Sequence, residues 1–364
     1  MTTPKPTSLH AAAQRTDLVT LTENDLIEIA SFIGAQSDRT RESVARHLRW
    51  FLLENPARRT EDALGFGLRA ADQLVGCILC VPQIFRAGNN NLLLMGSSSF
   101  YVDDHHRGHG GRIFLRYSRL AAQHPLFGTS ANAQAAELWK ASGATPIPHS
   151  DAELFGVLHW PPVAEEYMHR KYASRLLSRL AGSPLTKSFR LLRPLKIDDA
   201  ESDVLHPLTS AEQVNDLALH KPSAKLTAVR DLLYIRWRYF SGEDATVAAF
   251  TFRSRKPDQD ILVTINRRTR GYRSQINTLN VLDVYPEVSL EDWLRLLGAL
   301  IARHTGDVDA IVLRSQNPDQ QNLLCKKGFR RRAFDAPTGW FLDRANLLPI
   351  RDWYAVPADG DGLI

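Results

Sequence analysis

The spacing of apolar and polar positions changes along the first half of the chain from a helical period to a strand period. Residues 22–36 and 40–53 carry apolar side chains at helical spacing. The first stretch opens with a hydroxyl cap and acidic residues, and Pro56 follows the second, as at helix ends. Three apolar or alternating segments follow at 63–69, 74–82 and 92–102. With short polar turns between them, they predict an antiparallel meander.

A glycine-rich turn and two further helices complete the first half. The turn, 107–112, leads into a predicted helix over 113–123. A short strand ending at Thr129 comes next, and a helix over 133–141 is closed by Gly143, because glycine readily adopts the left-handed conformation found after helices.

The second half repeats this order of elements. It predicts helices over 209–220 and 226–241, strands over 246–253, 261–266 and 275–285, a helix capped by Ser289, a strand over 310–313 and a short helix ending at Gly328.

Short strings also match between the halves at a nearly constant distance along the chain. The strand sequence FGLR at 66–69 corresponds to FTFR at 250–253. The pair Asn132 and Gly143 corresponds to Asn317 and Gly328. Chance matching of short strings is one explanation, but a shared offset and a shared element order favour a duplicated domain. The predicted class is therefore α+β, with two tandem domains that each contain a mostly antiparallel mixed sheet flanked by helices.

The predicted domain boundaries follow from the same pattern. We expect a flexible lead over 1–18, an N-terminal domain over 19–160, a connecting helical segment over 161–204 and a C-terminal domain over 205–364. The connection contains a basic amphipathic stretch, 163–181. Such a helix suits a membrane surface or an acidic partner, or it packs on its own core with a solvated basic face.

Composition limits the class of protein. The chain has 364 residues, of which 44% are hydrophobic and 23% charged, in keeping with a globular protein of two domains. We expect a cytoplasmic protein without a membrane span, since no apolar run approaches ~18 residues and the N-terminus lacks a secretory apolar core. Three cysteines form neither a disulfide framework nor a zinc motif. The net charge of +5 weakly favours anionic ligands.

The segment with most chemical content is the glycine-rich turn and its approach, which read FYVDDHHRGHGGR over 100–112. An apolar strand here runs through a polar turn into a helix. Backbone amides that converge at a helix N-terminus bind pyrophosphate, and glycines allow the phosphate to come close. A dinucleotide-binding loop needs a different glycine spacing and a parallel βαβ unit, which the meander excludes.

These residues resemble the acyl-CoA-binding motif of the GNAT superfamily of N-acetyltransferases, Q/R-x-x-G-x-G/A. Arg107 and Gly110 match it, and Arg112 stands where the family has glycine or alanine. The next family motif, N-x-x-A-x-x-L-Y-x-x-x-G, is similar to the residues Asn132, Ala135, Leu138, Trp139 and Gly143. The second half repeats that motif more faintly as Asn317, Leu323, Gly328 and Phe329, but has YPEVS at 285–289 in place of a phosphate loop. The resemblance covers about 20–150 well and 205–335 faintly.

The resemblance implies a specific way of binding acyl-CoA. The fourth and fifth strands, here 92–102 and 126–129, would splay apart and admit the pantetheine arm as an added strand. The pyrophosphate would rest on the amides of 107–112. The thioester carbonyl would face an amide near 100–102, which would stabilise the oxyanion as an amine attacks directly. The implied contacts to acetyl-CoA or another acyl-CoA are Phe100, Tyr101, Val102, Arg107, Gly108, His109, Gly110, Gly111, Arg112, Asn132 and Trp139.

The catalytic residues are less determined. Candidate bases for the acceptor ammonium are Asp103, Asp104, His105, His106 and Glu137; each could instead cap or solvate the turn. We favour His105 or Asp103, because a histidine with a near-neutral pKa suits this proton transfer. Ser99 and its neighbours Ser97 and Ser98 could relay a proton through water, or be ordinary strand residues. No metal is expected.

Two residues depart from the family pattern. Arg112 would either crowd the diphosphate or pair with it, and we favour pairing. Trp139 stands where many members have the tyrosine that protonates the leaving thiolate. An indole cannot supply that proton, so Trp139 would line the slot instead. General acid catalysis is typically worth ~10² to 10⁴ in rate, but a thiol of pKa ~8.5 is already a tolerable leaving group, so its loss slows acyl transfer without abolishing it.

Two clusters of basic residues lie in the second half. The first comprises Arg267, Arg268, Arg270 and Arg273, and the second Lys326, Lys327, Arg330, Arg331 and Arg332. They could receive a phosphate-bearing acceptor, a carrier protein or RNA, or simply be solvated. Aromatic residues are too sparse among them for a nucleic-acid groove, so we expect no nucleic-acid partner.

The sequence therefore predicts an N-acyltransferase, with acetyl transfer to the amine of a small polar metabolite as the favoured reaction. The first half would bind acyl-CoA and the second would shape the acceptor pocket. The alternatives are a peptidyl or long-chain acyl transferase, since Fem peptidyl transferases and N-myristoyltransferase are also duplicated GNAT folds, or a catalytically silent binding protein. The oligomeric state stays open.

Overall fold

The computed structural model describes residues 15–37, 39–172, 204–214, 223–242, 247–255, 260–271, 276–348 and 352–359. The elements up to residue 157 are β1 (Thr16–Leu21), α1 (Leu26–Ala35), α2 (Arg41–Leu48), β2 (Gly65–Ala70), β3 (Gln73–Gly88), β4 (Asn90–Val102), α3 (Gly110–Ser118), β5 (Leu126–Gly128), α4 (Ala133–Ala141), β6 (Thr145–Pro146) and β7 (Ala152–Val157).

The later elements begin with a connecting helix. They are α5 (Trp160–Tyr172), β8 (Leu205–Leu208), β9 (Ser223–Ala228), α6 (Leu232–Ile235), β10 (Val247–Arg253), β11 (Asp260–Arg270), β12 (Ile276–Tyr285), α7 (Leu290–His304), β13 (Ala310–Leu313), α8 (Pro318–Lys326), β14 (Arg330–Ala333) and β15 (Trp340–Leu342).

The strands form two mixed sheets. The first has the order β1-β2-β3-β4-β5-β15-β6, with β9 also paired to β3, and the second has the order β14-β7-β13-β12-β11-β10-β8. Each sheet is antiparallel except for one parallel pair, β4 with β5 and β12 with β13. The predicted α+β class with two sheets flanked by helices is confirmed.

Each sheet contains strands from the other half of the chain: the first has β9 and β15 from the second half, and the second has β7 from the first half. The strand β7 lies between β13 and β14 of the second sheet, and β15 lies between β5 and β6 of the first. The strand β7 therefore lies before the predicted domain boundary at residue 160, although it pairs in the sheet of the second domain. Since a strand is stabilised by its ladder partners, neither sheet is complete without the other half.

The apolar run of β3 is explained by burial on both faces. Cys77 and Leu79 face the cluster built on α1 and α2, whereas Ile78 and Cys80 face the cluster that contains α3. Successive side chains alternate between faces, so both faces must be apolar. Burial raises the pKa of both cysteine thiols to about 12, which agrees with a structural role for the pair.

An approximate two-fold relation between the halves is visible at single residues. Each half has one π turn among the described residues, Arg49–Leu53 and Arg236–Phe240. The indole Nε1 of Trp50 donates to the carbonyl oxygen of Trp237 at 2.7 Å, and Nε1 of Trp237 donates to that of Trp50 at 2.8 Å. Because each residue gives and receives the same bond, the two turns meet as equivalents.

The repeated helix motif also behaves as predicted. The side chain of Asn132 caps α4 by accepting from the amide of Ala135, and Asn317 caps α8 in the same way. After these helices, Gly143 and Gly328 have φ values of 85° and 109°, a left-handed conformation that favours glycine.

Some predicted elements were wrong. The helix predicted from residue 226 starts only at Leu232, because Ser223–Ala228 is a strand against β3. Of the helix predicted over 209–220, the structure has one short turn, Ala211–Val214, and 215–220 lie outside the described residues. The strand β1 begins at Thr16, inside the predicted lead. These segments are short, and their structure depends on strands that are distant in the sequence.

The connecting segment is described only in part. Its helix α5 covers Trp160–Tyr172, and the remainder of the predicted basic helix lies outside the described residues. No helix in the described part of the chain has both the length and the apolar character that crossing a bilayer requires.

Candidate functional site

The parallel strands β4 and β5 are paired over only two residues and then diverge. Met95 pairs with Leu126 and Gly96 with Phe127. Beyond these pairs, a cavity of about 200 Å³ opens between the strands. Its lining comprises Ile78, Ser97, Ser98, Ser99, Phe100, Tyr101, Phe114, Ser130, Ala131, Asn132, Ala135 and Trp139. We call this cavity the first slot.

A β-bulge in β4 forms one wall of the first slot. On β3, Cys77 pairs with Tyr101 and Leu79 with Ser98, so two residues of β4 stand opposite one of β3. Ser99 has a φ of 49°, which is uncommon for a residue other than glycine. A bulge interrupts the hydrogen-bond ladder between the two strands, so that some backbone groups of the bulged residues no longer pair with the neighbouring strand. The bulge therefore supplies polar backbone groups to one wall of the first slot.

Phe100 connects the first slot to the glycine-rich turn, because it lines the slot and its Cζ atom lies 3.6 Å from where a Cβ at Gly110 would stand. The turn Asp104–His109 is a 3-10 helix, and α3 begins at Gly110. A Cβ at Gly108 or Gly111 would meet no atom of the described chain beyond its neighbours within 4 Å, and neither residue has a positive φ. Packing and backbone conformation thus leave both positions open to larger residues. The space above them suits a ligand that approaches the backbone closely.

Two arginines of the turn and the start of α3 are bonded to neighbouring residues. Arg107 pairs with Asp104 at 2.6 Å. The guanidinium of Arg112 donates to the hydroxyl of Thr16 at 2.7 Å and to its carbonyl oxygen at 3.2 Å. Since these bonds hold Arg112 against β1, its side chain leaves the surroundings of Gly108 and Gly111 open.

The predicted catalytic residues are distributed between the first slot and the turn. Ser99 lines the slot, with its hydroxyl 3.4 Å from that of Ser98. Asp103 caps the turn, where its carboxylate accepts from the amide of His105 at 2.9 Å. This bond and the nearby His106 lower the pKa of Asp103. His105 is exposed and supplies that amide.

The predicted acyl-CoA contacts divide in the same way. Phe100, Tyr101, Asn132 and Trp139 line the first slot. Val102 lies beside Gly110, with its Cγ2 atom 3.4 Å from where a Cβ at Gly110 would stand. The other predicted contacts, Arg107, Gly108, His109, Gly110, Gly111 and Arg112, form the turn and the start of α3.

Aromatic side chains close the back of the first slot. Trp139 is 2% exposed and meets Phe114 and Tyr117 edge to face at centroid distances of 5.2 and 5.9 Å. The hydroxyl of Tyr117 donates to the carbonyl oxygen of Met95 at 2.8 Å, and burial raises its pKa well above the ordinary value. The wall is therefore apolar and closely packed.

The corresponding space in the second sheet is largely filled by the chain itself on the side of residues 353–357, while the same diverging strands also line a larger cavity described below. The parallel pair β12 and β13 runs from Thr278 with Ala310 to Asn280 with Val312 and then diverges. Residues 353–357 lie between the diverging segments and leave about 30 Å³. The amide of Ala355 donates to Oε1 of Gln316 at 3.1 Å. We call residues 352–359 the C-terminal plug.

A buried ion cluster anchors the C-terminal plug. Arg230 donates to Asp283 at 3.0 Å and to Asp359 at 2.6 Å, and all three side chains are 0% exposed. The hydroxyl of Tyr239 also donates to Asp283, at 2.5 Å. Burial raises the pKa of Asp359 to about 6.

The helix that would receive a phosphate in the second half has the wrong charge for it. The first turn of α7 contains Glu291 and Asp292, whereas that of α3 is free of acids. Glu287, just before α7, pairs with Lys225 at 2.8 Å. Carboxylates at a helix N-terminus occupy the positive end of the dipole and repel phosphate.

A second cavity, of about 320 Å³, lies between the two sheets beside the first slot. We call it the inter-sheet cavity. Tyr101 and Ser130 line both it and the slot. Its polar lining also includes Glu153 of β7, Asn266, Arg268 and Arg270 of β11, Asn280 of β12 and Arg314 after β13.

The polar face of β11 results from the alternation of side chains along a strand. Asn266, Arg268 and Arg270 are two residues apart and line the inter-sheet cavity. The opposite face is apolar and packs in the core that contains α7; its residues are Ile261, Val263 and Ile265. Leu262 instead packs in the cluster that contains α1 and α2. The polar face is therefore turned towards the first half.

Sequence reasoning identified some of the residues that line this cavity and missed others. Arg268 and Arg270 line it, but Arg267 points to the other face, where it bonds to Asp307 at 3.1 Å. Arg273 lies outside the described residues. The alternation of polar residues along β11 was the available signal for a polar face.

The second basic cluster reaches the cavity through one carboxylate. Arg332 pairs with Glu153 at 3.2 Å, and Arg331 pairs with Asp151 at 2.7 Å. Glu153 had no signal in the sequence, because its neighbours come from the distant strands β13 and β14.

A scan against protein-family models found no match, and a search of curated proteins found none either. Solved structures do match. A probable N-acyltransferase of unknown function from Enterococcus faecalis has a TM-score of 0.54 at 10% identity and covers 90% of this chain and 72% of its own. A GCN5-related N-acetyltransferase from Anabaena variabilis has a TM-score of 0.53 at 12% identity and covers 91% and 74%.

N-myristoyltransferase from Saccharomyces cerevisiae, crystallised with myristoyl-CoA, has a TM-score of 0.54 at 10% identity and covers 94% of this chain and 81% of its own. At these identities the likeness concerns the fold alone. The chain has a tandem GNAT-like fold, as its sequence predicts.

Proposed function

We propose that this protein is an acyl-CoA-dependent N-acyltransferase that binds one acyl-CoA in the first slot and its acceptor in the inter-sheet cavity. One observation carries the proposal. The first slot is open over about 200 Å³, and Phe100 connects its lining to the open glycine turn, whereas only about 30 Å³ remains beside the C-terminal plug at the corresponding place in the second sheet.

The turn and α3 would hold the pyrophosphate. Backbone amides at the start of α3 and the positive end of its dipole attract phosphate, and Gly108 and Gly111 leave room for it. Arg112 is bound to Thr16 in the structure. It would reach the phosphate only by exchanging that bond, so the predicted pairing stays a prediction.

The reaction needs direct attack of the acceptor amine on the thioester carbonyl. The carbon–nitrogen bond forms, the carbon–sulfur bond breaks, and CoA leaves as a thiolate while the nitrogen loses a proton. Backbone donors at the Ser99 bulge would stabilise the oxyanion. Ser99 lines the slot and is our candidate for relaying the proton through water. Asp103 and His105 remain predicted bases, although the lowered pKa of Asp103 makes its carboxylate a weak one.

The favoured acyl group is short. Trp139 and Phe114 close the back of the first slot, which supports acetyl transfer over transfer of a long chain. The similarity to an N-myristoyltransferase crystallised with myristoyl-CoA keeps long-chain transfer as the alternative. A series of acyl-CoA donors from about two to fourteen carbons, compared by the rate of CoA release, distinguishes the two.

Binding of acetyl-CoA provides the first test. A ligand at 100 times its Kd stabilises the folded state by about 2.7 kcal/mol, so acetyl-CoA should raise Tm by several degrees. Gly111→Val should abolish this rise, since its side chain enters the space above the turn. The matched control is Gly306→Val, because a Cβ at Gly306 also meets no described atom beyond its neighbours within 4 Å but lies after α7.

Each possible result has a clear meaning. A rise in Tm in the wild type and Gly306→Val, lost in Gly111→Val, supports the proposal. A rise that Gly111→Val retains would place acyl-CoA elsewhere. An unchanged Tm of the wild type with acetyl-CoA and with myristoyl-CoA would refute acyl-CoA binding and favour the silent alternative.

A further inference from the structure

The inter-sheet cavity contains a buried donor that the described chain does not satisfy. Asn266 is 0% exposed, and its Oδ1 atom accepts from Nδ2 of Asn280 at 2.9 Å. Its own Nδ2 atom has no hydrogen-bond partner among the described residues. A buried donor left unpaired costs about 1–3 kcal/mol. The position therefore suits an acceptor atom supplied by a ligand.

The charges around the cavity favour an anion. Arg268, Arg270 and Arg314 line it, against one carboxylate, Glu153. That carboxylate is bound by Arg270 at 3.3 Å and by Arg332 at 3.2 Å. Three guanidinium groups and one carboxylate therefore belong to the described lining of the cavity. A guanidinium matches the geometry of carboxylate and phosphate oxygens, with which it forms paired hydrogen bonds.

The location of the cavity connects this charge to the reaction. Tyr101 and Ser130 line both the cavity and the first slot, whereas Asn266 and Arg268 lie on the second sheet. A ligand whose anionic end rests on β11 can therefore extend an amine towards the slot. A volume of about 320 Å³ lies at the small end of the usual range for small-molecule sites.

We propose that the inter-sheet cavity selects acceptor amines that carry an oxyanion group, either a carboxylate or a phosphate, and that Arg268 and Asn266 bind this group. The part of this inference that concerns the reaction rests on the proposed function. The binding of the anion in the cavity does not depend on it.

Matched acceptors test the proposal with acetyl-CoA and a measurement of released CoA thiol. Serine and phosphoethanolamine each differ from ethanolamine by one anionic group, and phenylalanine differs likewise from phenethylamine. We expect kcat/KM for the anionic member to exceed that of its neutral partner by about 10- to 100-fold, as charged hydrogen bonds of this kind contribute. Serine and phosphoethanolamine then show whether carboxylate or phosphate is preferred.

Two neighbouring arginines supply a variant and its control. Arg268→Gln should raise KM for anionic acceptors at least about tenfold, the loss expected for one charged hydrogen bond, and should lower the ratio of kcat/KM between anionic and neutral acceptors by the same factor. Arg267→Gln should match the wild type, because Arg267 lies on the opposite face of β11. Arg314→Gln is the second variant should Arg268→Gln fail to fold.

A binding measurement separates failure of this inference from failure of the proposed function. Without acyl-CoA, phosphoethanolamine or serine should raise Tm in the wild type and in Arg267→Gln but not in Arg268→Gln, whereas ethanolamine should not. Equal effects of anionic and neutral compounds, or of the two arginine variants, would overturn the inference even if acetyl-CoA binds. Anion binding that depends on Arg268 without any binding of acyl-CoA would refute only the proposed function.

Discussion

At the scale of single residues, Arg230 is the residue on which the C-terminal plug depends. It is fully buried and joins Asp283 of β12 to Asp359 near the end of the described chain. Its guanidinium also lies 4.9 Å from the ring centroid of Tyr285. Arg230 thus bonds to two buried carboxylates. Burial and the neighbouring carboxylate of Asp283 favour the protonated form of Asp359, whereas the positive charges of Arg230 and Arg238 oppose it.

The pH dependence of stability should reveal Asp359. Its pKa is raised from 3.8 to about 6 in the folded chain by burial, so the folded state binds this proton more tightly than the unfolded state. Its contribution to stability is complete below the unfolded pKa and is lost as the pH rises through the folded pKa. Asp359→Asn removes this loss. The unfolding free energy of the variant minus that of the wild type should grow by about 2 kcal/mol from about pH 4 to 7.

Urea unfolding at several pH values across this range measures the difference. Asp359→Asn keeps one acceptor oxygen for Arg230 and loses the oxygen that accepts from the amide of Val356. The lost hydrogen bond changes stability by the same amount at each pH, so the change of the difference with pH reports the charge. Parallel curves for the two proteins would show that the pKa of Asp359 is not raised.

At the scale of elements, the exchange of β7 and β15 makes each sheet depend on both halves. Trp340 of β15 is 5% exposed and packs in the same core cluster as Phe114 and Trp139, beside the first slot. Removing β15 would leave β5 and β6 without a common neighbour. We therefore expect the two sheets to unfold together.

Trp340→Ala tests this dependence from the far end of the chain. Truncation of a large buried aromatic residue costs about 3–5 kcal/mol, so the variant should unfold at much lower guanidinium concentration. Far-UV circular dichroism and fluorescence should report one shared transition. Leu347→Ala, which changes a side chain that is 42% exposed, is the control and should shift stability by less than about 0.5 kcal/mol. Separate transitions for two signals in the wild type would contradict the coupling.

The meander and α4 were the elements that the sequence predicted well. They have strong local signals, such as the cap at Asn132 and the glycine at Gly143. The strand β9 has no such signal, because a segment this short contains too few residues for an alternating pattern to identify a strand. Its structure depends on the edge of β3, which is more than about 130 residues away along the chain.

At the scale of the whole molecule, the two halves share a fold but differ in access. The first slot remains open, and the C-terminal plug fills the second. Acidic residues at the start of α7 add an electrostatic barrier there. The duplicated architecture thus supports one donor site beside one acceptor cavity.

Calorimetric titration should therefore give one acetyl-CoA per chain. Gly111→Val should reduce this number to zero, and Gly306→Val should leave it at one. Binding of two acetyl-CoA molecules per wild-type chain would mean that acetyl-CoA displaces the C-terminal plug. The difference between the two halves would then not determine where acetyl-CoA binds.

The sequence by itself determined the repeated order of elements, the glycine turn and the local motif from Asn132 to Gly143. These features depend on residues that are close together in the sequence, because the spacing of apolar residues and the backbone preferences of single residues determine local structure directly. Only the tertiary structure decided that β7 and β15 change sheets, that the C-terminal plug closes the second slot, and that Glu153 meets Arg270. Such contacts join residues that are distant in the sequence, and their free energy comes from ladders and burial that exist only after the two halves have met.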